Sequence, residues 1–206
     1  DENGVGGKAD FEATTGTVHL EGSTITAKTS DGFIGDMTVI AGKDARLDDV
    51  FTPEKNVKAE SMSIRAGDAV NFGEGTVALE TKRDLTVEAD HLTGDRIAAE
   101  SVLASGSALS ISVKEDLHVE EGVQASGQNV KFSSKDFTLA DRTTVRGGST
   151  AEIDASGEVA FTGDVLVTAD DSVGIGAASG GITFTGAVTV GDETKSENKA
   201  KVTLHA

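Results

Sequence analysis

The sequence predicts an all-β chain: a single right-handed parallel β-helix of about eight turns, each of roughly 22 residues and three short strands. Three observations carry that expectation. A five-residue pattern (apolar, any, apolar, any, small) recurs along the whole chain. Within each copy the period is two, the mark of a strand with one buried face. Between copies, Gly and Asp punctuate the gaps, where tight corners need residues tolerant of positive φ.

The copies are Ala9-Phe11-Ala13, Met37-Val39-Ala41, Met62-Ile64-Ala66, Leu85-Val87-Ala89, Leu109-Ile111-Val113, Val130-Phe132-Ser134, Ala151-Ile153-Ala155, Val173-Ile175-Ala177 and Val202-Leu204-Ala206. Their starts are separated by 28, 25, 23, 24, 21, 21, 22 and 29 residues. The middle position is always Phe, Val, Ile or Leu, and the third is nearly always Ala. Stacked coils require this, because each side chain meets its counterpart about 4.8 Å above and below, and sizes must match along the column.

Two weaker strands follow in most turns. Val18-Leu20, Ala45-Leu47, Val70-Phe72, Leu117-Val119, Phe137-Leu139, Val159-Phe161 and Ile182-Phe184 form the second set. Ile25-Ala27, Val57-Ala59, Val77-Leu79, Ile97-Ala99, Val123-Ala125, Val165-Val167 and Val188-Val190 form the third. Between 85 and 108 the second strand shrinks to Leu92, and Leu85-Val87 also reads as a second strand following Val77-Leu79. Residues 48–56, with the only proline, Pro53, and the charged stretch 191–201 read as loops bulging from a corner. Residues 1–206 form one domain, read as a segment of a longer protein.

Composition narrows the function. A net charge of −17 repels phosphate backbones and anionic lipid. No apolar stretch is long enough to span a bilayer as a helix. The expected partners therefore exclude nucleic acid and membrane insertion. Cysteine, Trp and Tyr are absent, which removes thiolate chemistry and the aromatics that line sugar clefts and protein hot spots.

Candidate sites read as structural. Asp170-Asp171 faintly resembles the paired Asp of polygalacturonases, but that family's further Asn-Thr-Asp, Gly-His-Gly and Arg-Ile-Lys motifs are missing, and a turn wants Asp there. Asp90-His91 falls on a corner; His19, His118 and His205 alternate with inward residues and point to solvent. Asp48-Asp49 and Glu120-Glu121 offer oxygen ligands without the spacing of calcium-binding repeats. The stretch GIGAASGG at 174–181 has no Lys-Ser/Thr to make a phosphate loop. Lys43-Asp44, Arg83-Asp84, Lys135-Asp136 and Lys114-Glu115-Asp116 read as corner solvation with weak ion pairs. No catalytic, cofactor-binding or metal-binding residue is expected, and the chain is read as a non-enzyme.

Phrases such as STITAKTSDG, SMSIRAGDAVNF, ALSISVKEDLHV and TAEIDASGEVAF resemble the haemagglutinin-type β-helix repeats of large bacterial surface adhesins. The resemblance covers nearly the whole chain. It implies an elongated, extracellular or cell-surface rod with roles in adhesion, and carries over no functional residue, since that class shares no catalytic motif. The other readings are an intracellular β-solenoid scaffold in a polymer or cytoskeletal assembly and, last, a polysaccharide lyase or hydrolase. Each end of a β-helix leaves an unpaired strand edge, which should meet an adjacent domain, a cap or another copy.

A longer corner loop adds little closure cost. Deleting 192–200 is therefore expected to leave the circular dichroism spectrum of the folded chain unchanged; loss of the β signal would make that segment structural.

Overall fold

The computed structural model describes residues 7–25, 32–191 and 201–206. The expected loop at 191–201 and Ala27 thus fall mostly outside the described residues. The chain is a parallel β-solenoid.

The strands follow turn by turn. The first turn holds β1 (Ala9–Ala13), β2 (Val18–His19) and β3 (Phe33–Ile34). The second holds β4 (Met37–Ala41), β5 (Ala45–Arg46) and β6 (Lys58–Ala59), and the third β7 (Met62–Ala66), β8 (Ala69–Asn71) and β9 (Ala78–Thr81). The fourth contains β10 (Leu85–Ala89), β11 (His91–Leu92), β12 (Arg96–Ile97) and β13 (Val102–Ser105). Then come β14 (Ala108–Val113), β15 (Leu117–Val119), β16 (Gln124–Ser134), β17 (Phe137–Leu139) and β18 (Thr144–Ala155). The last are β19 (Val159–Thr162), β20 (Val165–Ala169), β21 (Ser172–Ala177), β22 (Ile182–Thr185), β23 (Val188–Gly191) and β24 (Lys201–His205). From Met37 to Gly191 the chain is described without a break and makes about seven turns, slightly fewer than the eight expected.

The first face is the predicted column. Phe11 pairs in register with Val39, Val39 with Ile64, Ile64 with Val87, and the series continues through Ile111, Phe132, Ile153 and Ile175 to Leu204. From Val39 to Ile175 these residues are buried. The competing register, with Leu85-Val87 on the second face, is excluded by the pairing of β10 with β7 and β14. The third face runs from β3 through β6, β9, β13 and the first half of β16 to that of β18, β20 and β23. Strands β16 and β18 each turn a corner, so one strand serves the third face of one turn and the first face of the next.

Three expectations need correction. Ile97-Ala99 is not a third strand. Ile97 pairs with Val119 and opens the upper part of the second face, and the third strand of that turn is β13. The second face is in fact two sheets: β2, β5, β8 and β11 below, and β12, β15, β17, β19 and β22 above. A short 3-10 turn at Thr93–Asp95 carries the chain from one plane to the other. This is why the register looked insecure between 85 and 108: one turn contributes a strand to each sheet. The misfit leaves a small void lined by Val70, Phe72, Leu92, Ile97 and Leu103.

Second, Phe33–Ile34 pairs with Lys58–Ala59 on the third face of the first turn; Ile25 is in no strand, and Ala27 lies outside the described residues. Third, 48–56 is not simply a bulging loop. Val50 and Phe51 are buried, Phe51 meets Phe72 edge-on at 6.1 Å, and the Phe51 carbonyl accepts the Ala78 N–H. Only the stretch after Phe51 leaves the wall. It turns where Lys55 and Asn56 donate to the Thr52 carbonyl and returns at buried Val57. Lys55 Nζ then donates to the carbonyls of Gly22 and Ser23, both at 3.0 Å, tying this excursion to the turn below.

Two buried hydroxyls bond between turns, while those of Thr81 and Ser134 bond the carbonyl two residues on, Arg83 and Asp136. Ser101 Oγ accepts the Val77 N–H at 3.0 Å, and Thr143 Oγ1 donates to the Glu120 carbonyl at 3.0 Å. Corner aspartates work the same way, which their turn-forming role alone does not explain. Asp136 Oδ1 accepts the Glu158 N–H of the next turn at 2.7 Å, and a Cβ on Gly157 would lie 2.0 Å from that oxygen. Asp141 Oδ1 accepts the Asp164 N–H at 2.6 Å.

Two substitutions separate wall from loop. Ile153→Asp puts an unpaired charge in the buried column, which costs several kcal/mol, and is expected to abolish the folded circular dichroism spectrum. Phe51→Ala is expected to lower the unfolding free energy in urea by about 3–5 kcal/mol. A bulging loop would lose almost nothing.

Candidate interaction surface

The outward positions follow from the same alternation that fills the core. Strand residues at i and i+2 face one side, so Thr38, Ser63, Thr86, Ser110, Lys131 and Glu152 form an outer column on the first face. Every side chain on this surface has its nearest strand neighbour one turn away, and the ion pairs reflect that. Lys131 Nζ sits 3.2 Å from Glu152 and 2.9 Å from Asp154, both in the next turn. Arg65 reaches Glu88 at 3.2 Å. On the third face Lys58 meets Glu80 and Lys82 meets Glu60, each at 2.7 Å, with both ammonium groups over the Phe33 ring at 5.7 and 4.6 Å.

The Lys/Arg-Asp doublets behave differently from a local pairing. Lys135 bonds Asp116 at 3.3 Å in the turn below, and Lys114 bonds Asp90 in the turn below. Arg83 spans two turns to Asp36 at 2.8 Å. Arg96, beside the dislocation, holds Glu74 below and Glu120 above, the latter at 2.8 Å. Arg142 reaches Glu121 at 3.5 Å and Glu100, two turns down, at 3.1 Å. Glycine makes room for that reach: a Cβ on Gly122 would lie 2.5 Å from the Glu100 carboxylate. Glu100 and Arg142 themselves take left-handed backbone, φ 57° and 58°, at corner positions stacked on Gly122.

Three of these bases, Arg96, Lys131 and Lys135, are held above their usual pKa. The hydrogen bond to Glu120 holds the Arg96 guanidinium above its usual value, followed by the charges of Glu120 and Glu74. Hydrogen bonds to Asp154 and then Glu152 raise Lys131, and the hydrogen bond to Asp116 raises Lys135.

The candidate chemical residues are scattered. Asp170 and Asp171 occupy the corner between β20 and β21. The turn below contributes Gly148 and Ser149 at that level, and the Asp171 N–H donates to the Ser149 carbonyl. In the turn below, among the described residues, these two positions carry no carboxylate. His19, His118 and His205 are exposed on three separate strands, as alternation predicts. Asp90 sits on the corner, but His91 opens β11, with Nδ1 3.6 Å from Asp68. Asp48 accepts from Asn71 at 2.9 Å, Asp49 takes left-handed backbone at φ 56°, and Glu120 and Glu121 are engaged with Arg96 and Arg142. The 174–177 part of the glycine-rich stretch lies within β21, not in a loop. Among the described residues, no group of three or more His, Asp or Glu could hold a metal ion. No helix there is long and apolar enough to cross a membrane, which says nothing of strands.

The surface therefore offers columns of side chains at one-turn spacing, bound into inter-turn charge pairs. Comparison with known proteins returns no matching family, no matching curated protein and no matching solved structure.

The raised lysines set a pH dependence. A basic group whose pKa is higher in the folded chain contributes stability below its unfolded pKa and loses it as pH rises through the folded value. The midpoint of urea unfolding is expected to fall as pH is raised through the lysine range. Lys131→Met should flatten that fall, measured by circular dichroism at fixed ionic strength.

Proposed function

We propose that the chain is a non-enzymatic structural rod of a surface or secreted protein, of the adhesive kind, which touches partners through its exposed faces and corner loops. The observation that carries this reading is the parallel pairing of the first face, strand on strand from β1 to β24, which gives length and a repeating surface. Nine first-face strands at about 4.8 Å give roughly 40 Å of axial stack. Contacts along such a surface are polar and shallow, so each is weak, and strength comes from many copies displayed together. The acidic balance favours neutral or basic partners over polyanionic ones. The corner placement of Asp170 and Asp171 over Gly148 and Ser149 supports the non-enzymatic part of the reading.

The test is twofold. The purified chain is incubated with pectin-like and other acidic glycans, with and without calcium, and no cleavage is expected. Turnover that disappears in Asp170→Asn or Asp171→Asn overturns the non-enzyme reading. The chain displayed on beads is then expected to be retained on cell surfaces at low salt and released as salt rises. Display that retains nothing at any ionic strength overturns the adhesive reading.

A further inference from the structure

One side of the stack departs from the charge of the rest. Residues 101–108, 122–129 and 143–150 hold a single charge between them, Arg146, in a chain that is 26% charged with a net charge of −17. The register brings these three stretches together. Val102 lies beside Gln124 and Gln124 beside Thr144, while Ala104 lies beside Ser126 and Ser126 beside Arg146. Around the corner Gly127 pairs with Gly147 and Asn129 with Thr150. The result is one band on the third face and its corner with the first, in mid-stack, with β9 below it and β20 above.

The band is polar without being charged. Leu103, Ala125 and Val145 fill the core behind it, so alternation turns Val102, Ala104, Gln124, Ser126, Thr144 and Arg146 outward. Val102 is 41% exposed, and Gln124, Ser126, Gln128, Asn129 and Arg146 are exposed as well. Thr150 Oγ1 donates to Asn129 Oδ1 at 3.0 Å, which leaves the Asn129 NH2 group as a donor. Gln128 is seated against Gly148: a Cβ there would lie 2.8 Å from the Gln128 amide carbon, nitrogen and oxygen alike. No described residue bonds the side chains of Gln124, Gln128 or Arg146. Amides and hydroxyls donate and accept together, as the neighbouring hydroxyls of a sugar require. Val102 below and half-buried Leu166 above offer aliphatic surface to the C–H faces of the rings.

Area and charge choose the occupant. The band runs about 20 Å along the strands and about 15 Å up the stack, on the order of 300 Å². That is under half of the roughly 800 Å² that each partner gives to a stable protein interface. It is too little to hold a protein, or a second copy of the same net charge, but it covers several sugar units. Acidic glycans meet the negative field of the whole chain, and uncharged ones do not. We propose that this band binds uncharged polysaccharide, with Gln124, Gln128, Asn129 and Arg146 donating to sugar hydroxyls. The chain has no Trp or Tyr to stack on a ring, so each contact is shallow, and repeated display supplies the strength.

The proposal rests on the reading of the chain as a binding rod, and the two fail separately. Retention on cells at low salt reports the charged faces. Binding of a purified glycan in salt that screens those faces reports the band. Affinity electrophoresis of the purified chain through soluble glucan, mannan or galactan, with polygalacturonate as the acidic control, is the test. At least one neutral polymer is expected to slow the chain, by an amount that added salt leaves unchanged, and polygalacturonate is expected to slow it less. Oligosaccharides of that polymer should shift the backbone amide NMR signals of residues 124–129 and 144–149 and leave those of 86–88, on the first face, in place. Gln128→Glu, at an exposed site, and Gly148→Ala, which displaces the Gln128 amide, are each expected to weaken binding at least threefold with an unchanged circular dichroism spectrum. Four results overturn the proposal: no retardation by any of the three neutral polymers, stronger retardation by polygalacturonate, shifts confined to another face, or shifts at the same amides when protein concentration alone is raised, the mark of a second copy on the band.

Discussion

The fold depends on one constraint: each residue of a turn must stack on its counterpart in the turns above and below. The parallel ladder satisfies the backbone, and the column satisfies the side chain. Phe132 fits between Ile111 and Ile153 because all three fill the same slot. A mismatch in one turn would be felt by both neighbours, since packing at this density transmits strain. Stability in such a stack is mostly a sum of nearest-neighbour terms.

The surface obeys the same constraint. Ion pairs run between turns because the neighbour at 4.8 Å is a turn away, whereas adjacent residues in one strand point to opposite sides. Lys135 therefore bonds Asp116 and not Asp136, while Asp136 caps a backbone N–H in the next turn. Such exposed pairs are individually weak, but they are aligned with the register, and a shifted register would break them together. They act as a second check on the pairing that the core already sets.

The main dislocation lies where the second face changes plane. Leu92 completes the lower sheet, Ile97 begins the upper, and Arg96 pins both sides through Glu74 and Glu120. First-face starts are 23 to 28 residues apart through this turn and 21 or 22 in the next three, so the dislocation separates long turns from short ones. The Arg96 ion pairs bridge the two sheets of the second face beside the apolar void, while the first and third faces run through this turn without a change of sheet.

The sequence by itself determined the fold class, the first-face column residue by residue, and the outward direction of His19 and His118. All three depend on period-two alternation within a strand and size matching between turns, which are written locally. The second and third strands were legible where two large apolar residues marked them. Val102–Ser105 and Thr144–Gly147 were missed because each carries a single strong inward residue, Leu103 or Val145. Only the tertiary structure decided that Ile97 belongs to the second face, that Val50 and Phe51 belong to the core, and which charges pair. Those outcomes rest on which residues meet across a gap of about a turn, and a local pattern carries no information about a neighbour some twenty residues away until the register is set.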